Sequence, residues 1–258
     1  MNDISGLSNS ISSSDADSIF QEAKFKEAAG LYKVKIVSYP DDHSLKFKLA
    51  ESLRLSNQLN EAVIYYTPLV TQKDFSFAAQ EGLALTHLQL KDIEKSKDIF
   101  LQLLEKDASR WRTLNALGII NSIEGNKQAA KEYFDLAQSL APNEPAILNN
   151  LGLTQALAET NTTNAINTLQ EALNLSQTKT DKKQISLNLA LAYGMNSEDE
   201  KVKEILSEYL TEAEIYNNLG VYASLRKEKS LARSYWSKAL TSQPVFYERA
   251  WNNLEKLK

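Results

Sequence analysis

The sequence predicts an all-α chain, an α-solenoid of about seven helix-turn-helix repeats finished by a C-terminal capping helix. Three observations carry the prediction. Leucine and a small residue, then a short polar turn, a second small residue and, four positions on, an aromatic ring recur along the chain. Glycine and proline are scarce, 8 and 5 in 258 residues, too few for the turns of a loop-rich all-β protein. A hydrophobic content of 43% against 24% charged residues, with a mean hydropathy of -0.38, is that of a soluble globular chain.

Taken in order, the repeats fall at 9–42, 43–76, 77–110, 111–144, 145–182, 183–212 and 213–246, within one domain spanning 19–258. In the first, Ala28, Tyr32 and Pro40 suit a second helix, whereas Ser12, Asp15 and Ala16 make a poor first one. The second, FKLAESLRLSNQLNEAVIYYTPLV (47–70), sets Ala50 against Ala62 with Tyr66 beside them. Pro68 falls inside its second helix, where the missing N–H is expected to bend that helix locally. Phe100 fills the same place in the third repeat.

The fourth, LNALGIINSIEGNKQAAKEYFDLAQSLAP (114–142), and the seventh, YNNLGVYASLRKEKSLARSYWSKALTSQP (216–244), share Leu-Gly, Ala, aromatic, Ala and Pro at identical offsets. Gly118 is expected to face Ala130, where two backbones approach too closely for a larger side chain, with Phe134 and Trp236 filling the space alongside. The fifth repeat carries one extra residue in its turn, ETNTTN, and a polar tail to about 182. The sixth is four residues short and uses Val202 where alanine is usual. Residues 247–258 form a last helix with polar residues outward, a solubilising cap.

Several chemistries are missing from the sequence. Lys and Arg number 29 against 33 Asp and Glu, a net charge of -4, which is the wrong balance for phosphate-driven nucleic-acid binding. With no cysteine there are no disulfides, thiolate metal sites or thiol nucleophiles. His43 and His87 read as ordinary surface or packing residues, and no phosphate loop, nucleophile elbow or HExxH motif occurs. Neither an enzyme, a metal nor a cofactor is expected. The Asn-x-Ser/Thr matches at Asn161 and Asn174 read as chance in an asparagine-rich chain. Residues 2–18 hold seven serines and few large apolar side chains, so 1–18 is expected to be a disordered tether.

The repeated residues Leu117, Gly118, Ala130, Phe134, Ala137 and Pro142, with Leu219, Gly220, Ala232, Trp236, Ala239 and Pro244, resemble the 34-residue tetratricopeptide (TPR) pattern. That resemblance implies a right-handed superhelix whose first helices line a concave face through repeat positions 2, 5, 6 and 9. Here those positions supply Arg112, then Asn115, Asn149, Asn150, Asn188, Asn217 and Asn218, then Ile119, Leu153, Leu191 and Val221. A carboxamide both donates and accepts, so a row of asparagines beside an apolar strip suits a protein or peptide segment of any sequence. In the N-terminal half the same positions read Phe47, Lys48, Glu51, Glu81, Gly82 and Leu85, charged and mixed. Lys48 and Arg112, with Arg54 nearby, do not repeat the Lys/Asn alternation of the carboxylate-clamp co-chaperones.

A narrower likeness runs through DASRWRTLNALGII, APNEPAILNNLGLTQALAET and ISLNLALAYGMNSED, with FKEAAGLYKVKIVSYPDDHSLKFKLAESL before them. Asp107, Trp111, Arg112, Leu114, Asn115, Leu117 and Gly118, then Asn149 to Gly152, then Asn188 to Leu191, resemble the bacterial Tad pilus assembly TPR lipoproteins (TadD-like). The resemblance implies a pilotin-like helper of an outer-membrane secretin, on the periplasmic side and held by an N-terminal lipid anchor. This chain has no cysteine to carry that lipid, and Met1 would stand where a processed cysteine was. The alternative is a cytoplasmic TPR adaptor in another complex.

Overall fold

The computed structural model describes residues 13–158, 162–242 and 247–257. Among them there are fifteen α-helices, one 3-10 segment and no strand, so the fold class is all-α. By its internal packing the chain gathers into two compact units, residues 1–120 and 121–258. Contacts in a repeat array reach only from one pair to its neighbours, so a long array divides where they are sparsest.

The N-terminal unit pairs α1 (Ser13–Gln21) with α2 (Phe25–Ser38), α3 (His43–Leu55) with α4 (Leu59–Tyr66), and α5 (Ser76–Gln89) with α6 (Ile93–Lys106); α7 (Trp111–Ile123) begins in it. Each first helix packs on its own second helix, and α3 also packs on α5. Tyr32, Tyr66 and Phe100 are fully buried among small residues such as Ala28, Ala50 and Ala62. Each such ring contributes about 2–3 kcal/mol by burial. Where the third repeat has serine at the small position, the Ser96 hydroxyl donates to the Ala84 carbonyl at 2.8 Å, so the polar group is buried without cost to its pairing.

Two expectations for this unit need correction. Residues 13–18, assigned to a disordered tether, lie in α1, with Ala16 fully buried. The tether's remaining residues, 1–12, lie outside the described residues. Ala16 recurs at helical spacing with Ile19 and Phe20, which pack on the core, and this apolar stripe outweighs the serines. Pro68 does not bend an α-helix. α4 closes at Tyr66, and Thr67–Thr71 continues as a 3-10 turn that buries Leu69. The proline ring cannot sit against the carbonyl four residues back, so the helix ends ahead of it.

Six turns between paired helices reverse the chain through one left-handed residue each. These are Ala23, Asn57, Lys91 and Gly125, spaced 34 residues apart, then Ser197 and Lys227, with φ from +58 to +81°. After each, an N–H reaches back to a carbonyl five residues earlier, as Gln58 to Leu53 at 2.8 Å and Glu228 to Ala223 at 2.9 Å, which satisfies the orphan carbonyls of the helix end.

The C-terminal unit holds α8 (Lys127–Leu140), the pairs α9 (Pro145–Leu157) with α10 (Thr162–Leu175), α11 (Lys179–Met195) with α12 (Asp199–Leu206) and α13 (Glu212–Leu225) with α14 (Lys229–Thr241), and the last helix α15 (Glu248–Glu255). Pro145 opens α9 at its first turn, where no N–H is needed. Thr211 and Glu214 form a reciprocal capping box at α13. Val202 is fully buried in the alanine position. The polar tail expected to 182 stops short, because Thr178 caps α11 by accepting from the Asp181 N–H at 3.0 Å. Asn161, with part of the turn ETNTTN, and Pro244 lie outside the described residues.

Two tight approaches set a glycine of the first helix against a large residue of the second. A Cβ on Gly152 would come within 2.6 Å of Leu169, and one on Gly220 would overlap the indole of Trp236. The glycine thus makes room for the large residue of the second helix, one turn beyond the alanine. Trp236 in turn donates its indole N–H to the Asn217 carbonyl at 3.1 Å.

Candidate functional site

The first helices of the N-terminal unit enclose a cavity of about 620 Å³. α1 contributes Asp17 and Phe20, α3 contributes Phe47, Lys48, Glu51 and Arg54, α5 contributes Glu81, Gly82 and Leu85, and Arg110 and Arg112 close it. Residues on α3 that line it stand three or four apart, the spacing that puts side chains on one helix face. All six inner positions read in this half of the sequence therefore lie on one wall.

The charges in this wall are paired. Lys48 bonds both oxygens of Asp17, at 2.9 and 2.7 Å, and Tyr32 donates to the same carboxylate. Burial raises the Asp17 pKa, but the bonds from Lys48 and Tyr32 outweigh it and hold the group below the ordinary carboxylate value. Arg54 pairs with Glu51 at 2.7 Å, and Tyr66 donates to that glutamate too. Burial opposes the Arg54 charge, yet Glu51 more than compensates and the guanidinium is held above its usual pKa. Burial, with the neighbouring carboxylates, pushes the Tyr32 and Tyr66 phenols well up, so both remain donors. Arg110 meets the buried Glu81 at 3.3 Å and lies 4.6 Å from the centre of the Phe77 ring. Arg112 is exposed, its guanidinium 4.8 Å from the Trp111 ring centre.

The asparagine row divides by burial. Asn188 is 8% exposed and donates to the Asn149 carboxamide at 2.8 Å, joining α11 to α9. Asn217 is 7% exposed and accepts from Asn253 of α15 at 3.1 Å. These three amides hold helices to one another. Asn115 and Ile119 are half-buried on α7, as are Asn150 and Leu153 on α9, Leu191 on α11, and Asn218 and Val221 on α13. The structure keeps Arg112, Asn115 and Ile119 in one helix of the N-terminal unit and the remaining positions in the C-terminal unit.

Sequence reading overlooked Asp17, Phe20 and Arg110 as cavity residues. Asp17 belonged to the stretch assigned to the tether. Arg110 precedes its helix, and its pairing with Glu81 spans 29 residues, a separation with no local signature. Among the described residues no group of three His, Asp or Glu gathers as a metal site, and no helix is long and apolar enough to cross a membrane.

The architecture is that of a helix-pair repeat scaffold. Residues 112–144 match the tetratricopeptide repeat family model, and no curated protein matches the chain. In structure the chain is similar to a tetratricopeptide repeat protein from Parabacteroides merdae, at 16% identity over 95% of this chain and 96% of that one, with a TM-score of 0.60. It is similar to PilF of Pseudomonas aeruginosa at 15% identity, over 83% and 97% of the two chains, with a TM-score of 0.59. YrrB, a TPR protein with an unusual peptide-binding site, matches at 15% identity over 74% and 97%, with a TM-score of 0.52. Identities this low speak for the fold alone. The family model covers one helix pair of this chain, and the structural neighbours share its all-α tetratricopeptide-repeat fold.

Proposed function

We propose that this protein is a binding scaffold that takes a segment of a partner protein on the first helices of its pairs. One observation carries this reading. Each unit keeps accessible polar and apolar surface on its first helices, the cavity in one and Asn150, Leu153, Asn218 and Val221 in the other. The large residues of the second helices are spent on the core.

The more specific reading is a pilotin-like assembly factor for the secretin of a Tad pilus or a related secretion system, acting on the periplasmic side of the outer membrane. Its support is the sequence resemblance through Asp107–Gly118, Asn149–Gly152 and Asn188–Leu191. The test is a pull-down of the 258-residue protein against the envelope fraction of its source, beside an Asn150→Ala, Asn218→Ala variant. Asn188 is left unchanged, because its amide holds Asn149. A secretin recovered by the wild type and lost by the variant supports both function and face. A secretin recovered equally by both keeps the function and rejects those asparagines. Recovery of a soluble partner alone rejects the pilus reading in favour of a cytoplasmic adaptor.

A further inference from the structure

We propose that the cavity of the N-terminal unit is a docking site for an acidic peptide segment carrying a large apolar side chain, which would make it the specificity element of the scaffold reading on which this inference rests.

The size comes first. A volume of about 620 Å³ lies inside the roughly 300–1,000 Å³ range of ligand pockets. It can hold one or two side chains of a peptide but not a folded surface. The apolar part of the wall, Phe20, Phe47 and Leu85, comes from three successive first helices, and all three residues are only partly buried. Rings left half-covered in this way gain most from a side chain that displaces water from them.

Charge selects what flanks that side chain. The wall holds four cations, Lys48, Arg54, Arg110 and Arg112, against three carboxylates, in a chain whose net charge is -4. All three carboxylates are already engaged by cations, Asp17 by Lys48, Glu51 by Arg54 and Glu81 by Arg110. A basic ligand would have to share those carboxylates with the cations already on them, at Asp17 as well, which is 40% exposed like Lys48. The accessible cations are different. Lys48 is 40% exposed and directs its ammonium to one carboxylate, which leaves one of its three donors. Arg112 is exposed, and its stacking on Trp111 leaves the guanidinium edge open to an acceptor. Two cations at the rim and partly bare rings within fit an apolar residue with aspartate or glutamate beside it.

The test uses the full 258-residue chain and two fluorescein-labelled hexapeptides with a leucine-phenylalanine centre, flanked by aspartates in one and by lysines in the other. Binding is followed by fluorescence anisotropy at low and at high salt. The aspartate peptide should bind roughly tenfold more tightly than the lysine peptide at low salt, and the difference should shrink as salt screens the rim. Arg112→Glu should cut the preference about tenfold, about 1.4 kcal/mol, since it replaces one accessible attraction by a repulsion. Lys48→Glu, Arg112→Glu together should reverse the preference in favour of lysine, with a circular dichroism spectrum matching the wild type to show that the fold is kept. Equal affinities, or an aspartate preference that survives both substitutions, would overturn the proposal. Binding abolished by Asn150→Ala, Asn218→Ala but untouched at Arg112 would move the site to the C-terminal unit and leave the scaffold reading standing. An envelope and cytosol pull-down empty of any partner would instead defeat the scaffold reading itself.

Discussion

Replacing Gly220 by alanine should destabilise the C-terminal unit, although alanine is the better helix former. Gly220 sits inside α13, and a Cβ there would lie 2.5 Å from Trp236 Cδ1 and 2.8 Å from its Cε2, besides overlapping Nε1. Carbon contacts are comfortable at about 3.5–4.0 Å, so the ring would have to retreat by about 1 Å. It has little freedom to do so, being 4% exposed and tied by its N–H to the Asn217 carbonyl at 3.1 Å. Overpacking of this kind costs about 1–3 kcal/mol, and a broken indole bond adds about 1 kcal/mol. The helix propensity of alanine offsets about 1 kcal/mol, which leaves a net loss of about 1–3 kcal/mol.

Gly30→Ala is the matched control, because Gly30 lies in α2 with nothing within 4 Å of the added Cβ. It should gain up to about 1 kcal/mol. Urea denaturation followed by circular dichroism gives both midpoints. A Gly220→Ala midpoint at or above that of the wild type would refute the packing argument. So would a double variant, Gly220→Ala with Trp236→Phe, that shows no recovery from the smaller ring.

The left-handed turn residues offer a second test: Lys91→Gly and Lys227→Gly should each stabilise by about 0.5–1 kcal/mol, and Gly125→Ala should destabilise by about 1 kcal/mol, all read as shifts in melting temperature. A third concerns Asp17, whose pKa is depressed in the folded chain, so its contribution is present above the ordinary carboxylate pKa and fades as pH falls through that value and below. Asp17→Asn should therefore lower the melting temperature at pH 7, by an amount worth under about 1 kcal/mol for a pair this exposed, and the gap should close as pH falls below the ordinary carboxylate range. Asn253→Ala should cost about 1 kcal/mol and loosen α15 first, seen as faster amide exchange over 248–255. Thr211→Ala removes the capping box of α13 and should cost about 1 kcal/mol in the same denaturation assay.

The helix pairs were legible because their cause is local. The small residue, the aromatic ring and the helical spacing between them specify one buried stripe per helix, as at Ala62 with Tyr66 and Ala130 with Phe134. What stayed hidden depends on partners distant in the chain. The carboxamides of Asn188 and Asn150 look alike in sequence, yet Asn188 is buried against Asn149, 39 residues away, while Asn150 keeps part of its surface. Nothing local marks which asparagine is buried and which keeps part of its surface. The turns were hidden for another reason. A left-handed residue is usually sought as glycine, and here Ala23, Asn57, Lys91, Ser197 and Lys227 carry that conformation, held by the hydrogen bonds that close each helix end. The serines of 13–18 misled in the opposite direction, since composition averaged over the segment concealed the single stripe through Ala16.

The bond between Asn253 and Asn217 bears on what the surface beyond α13 and α14 presents. A stack of like units ends in an apolar surface that any further copy could extend, and an uncovered end is the start of a filament. α15 occupies that surface with Ala250 buried and Leu254 half-covered, and it turns Glu248, Arg249, Asn252, Glu255 and Lys256 to the outside. Its Asn253 carboxamide donates to that of Asn217 and ties the helix to α13. The face that α15 presents is thus mainly charged, with Trp251 as an exposed large apolar side chain among its described residues.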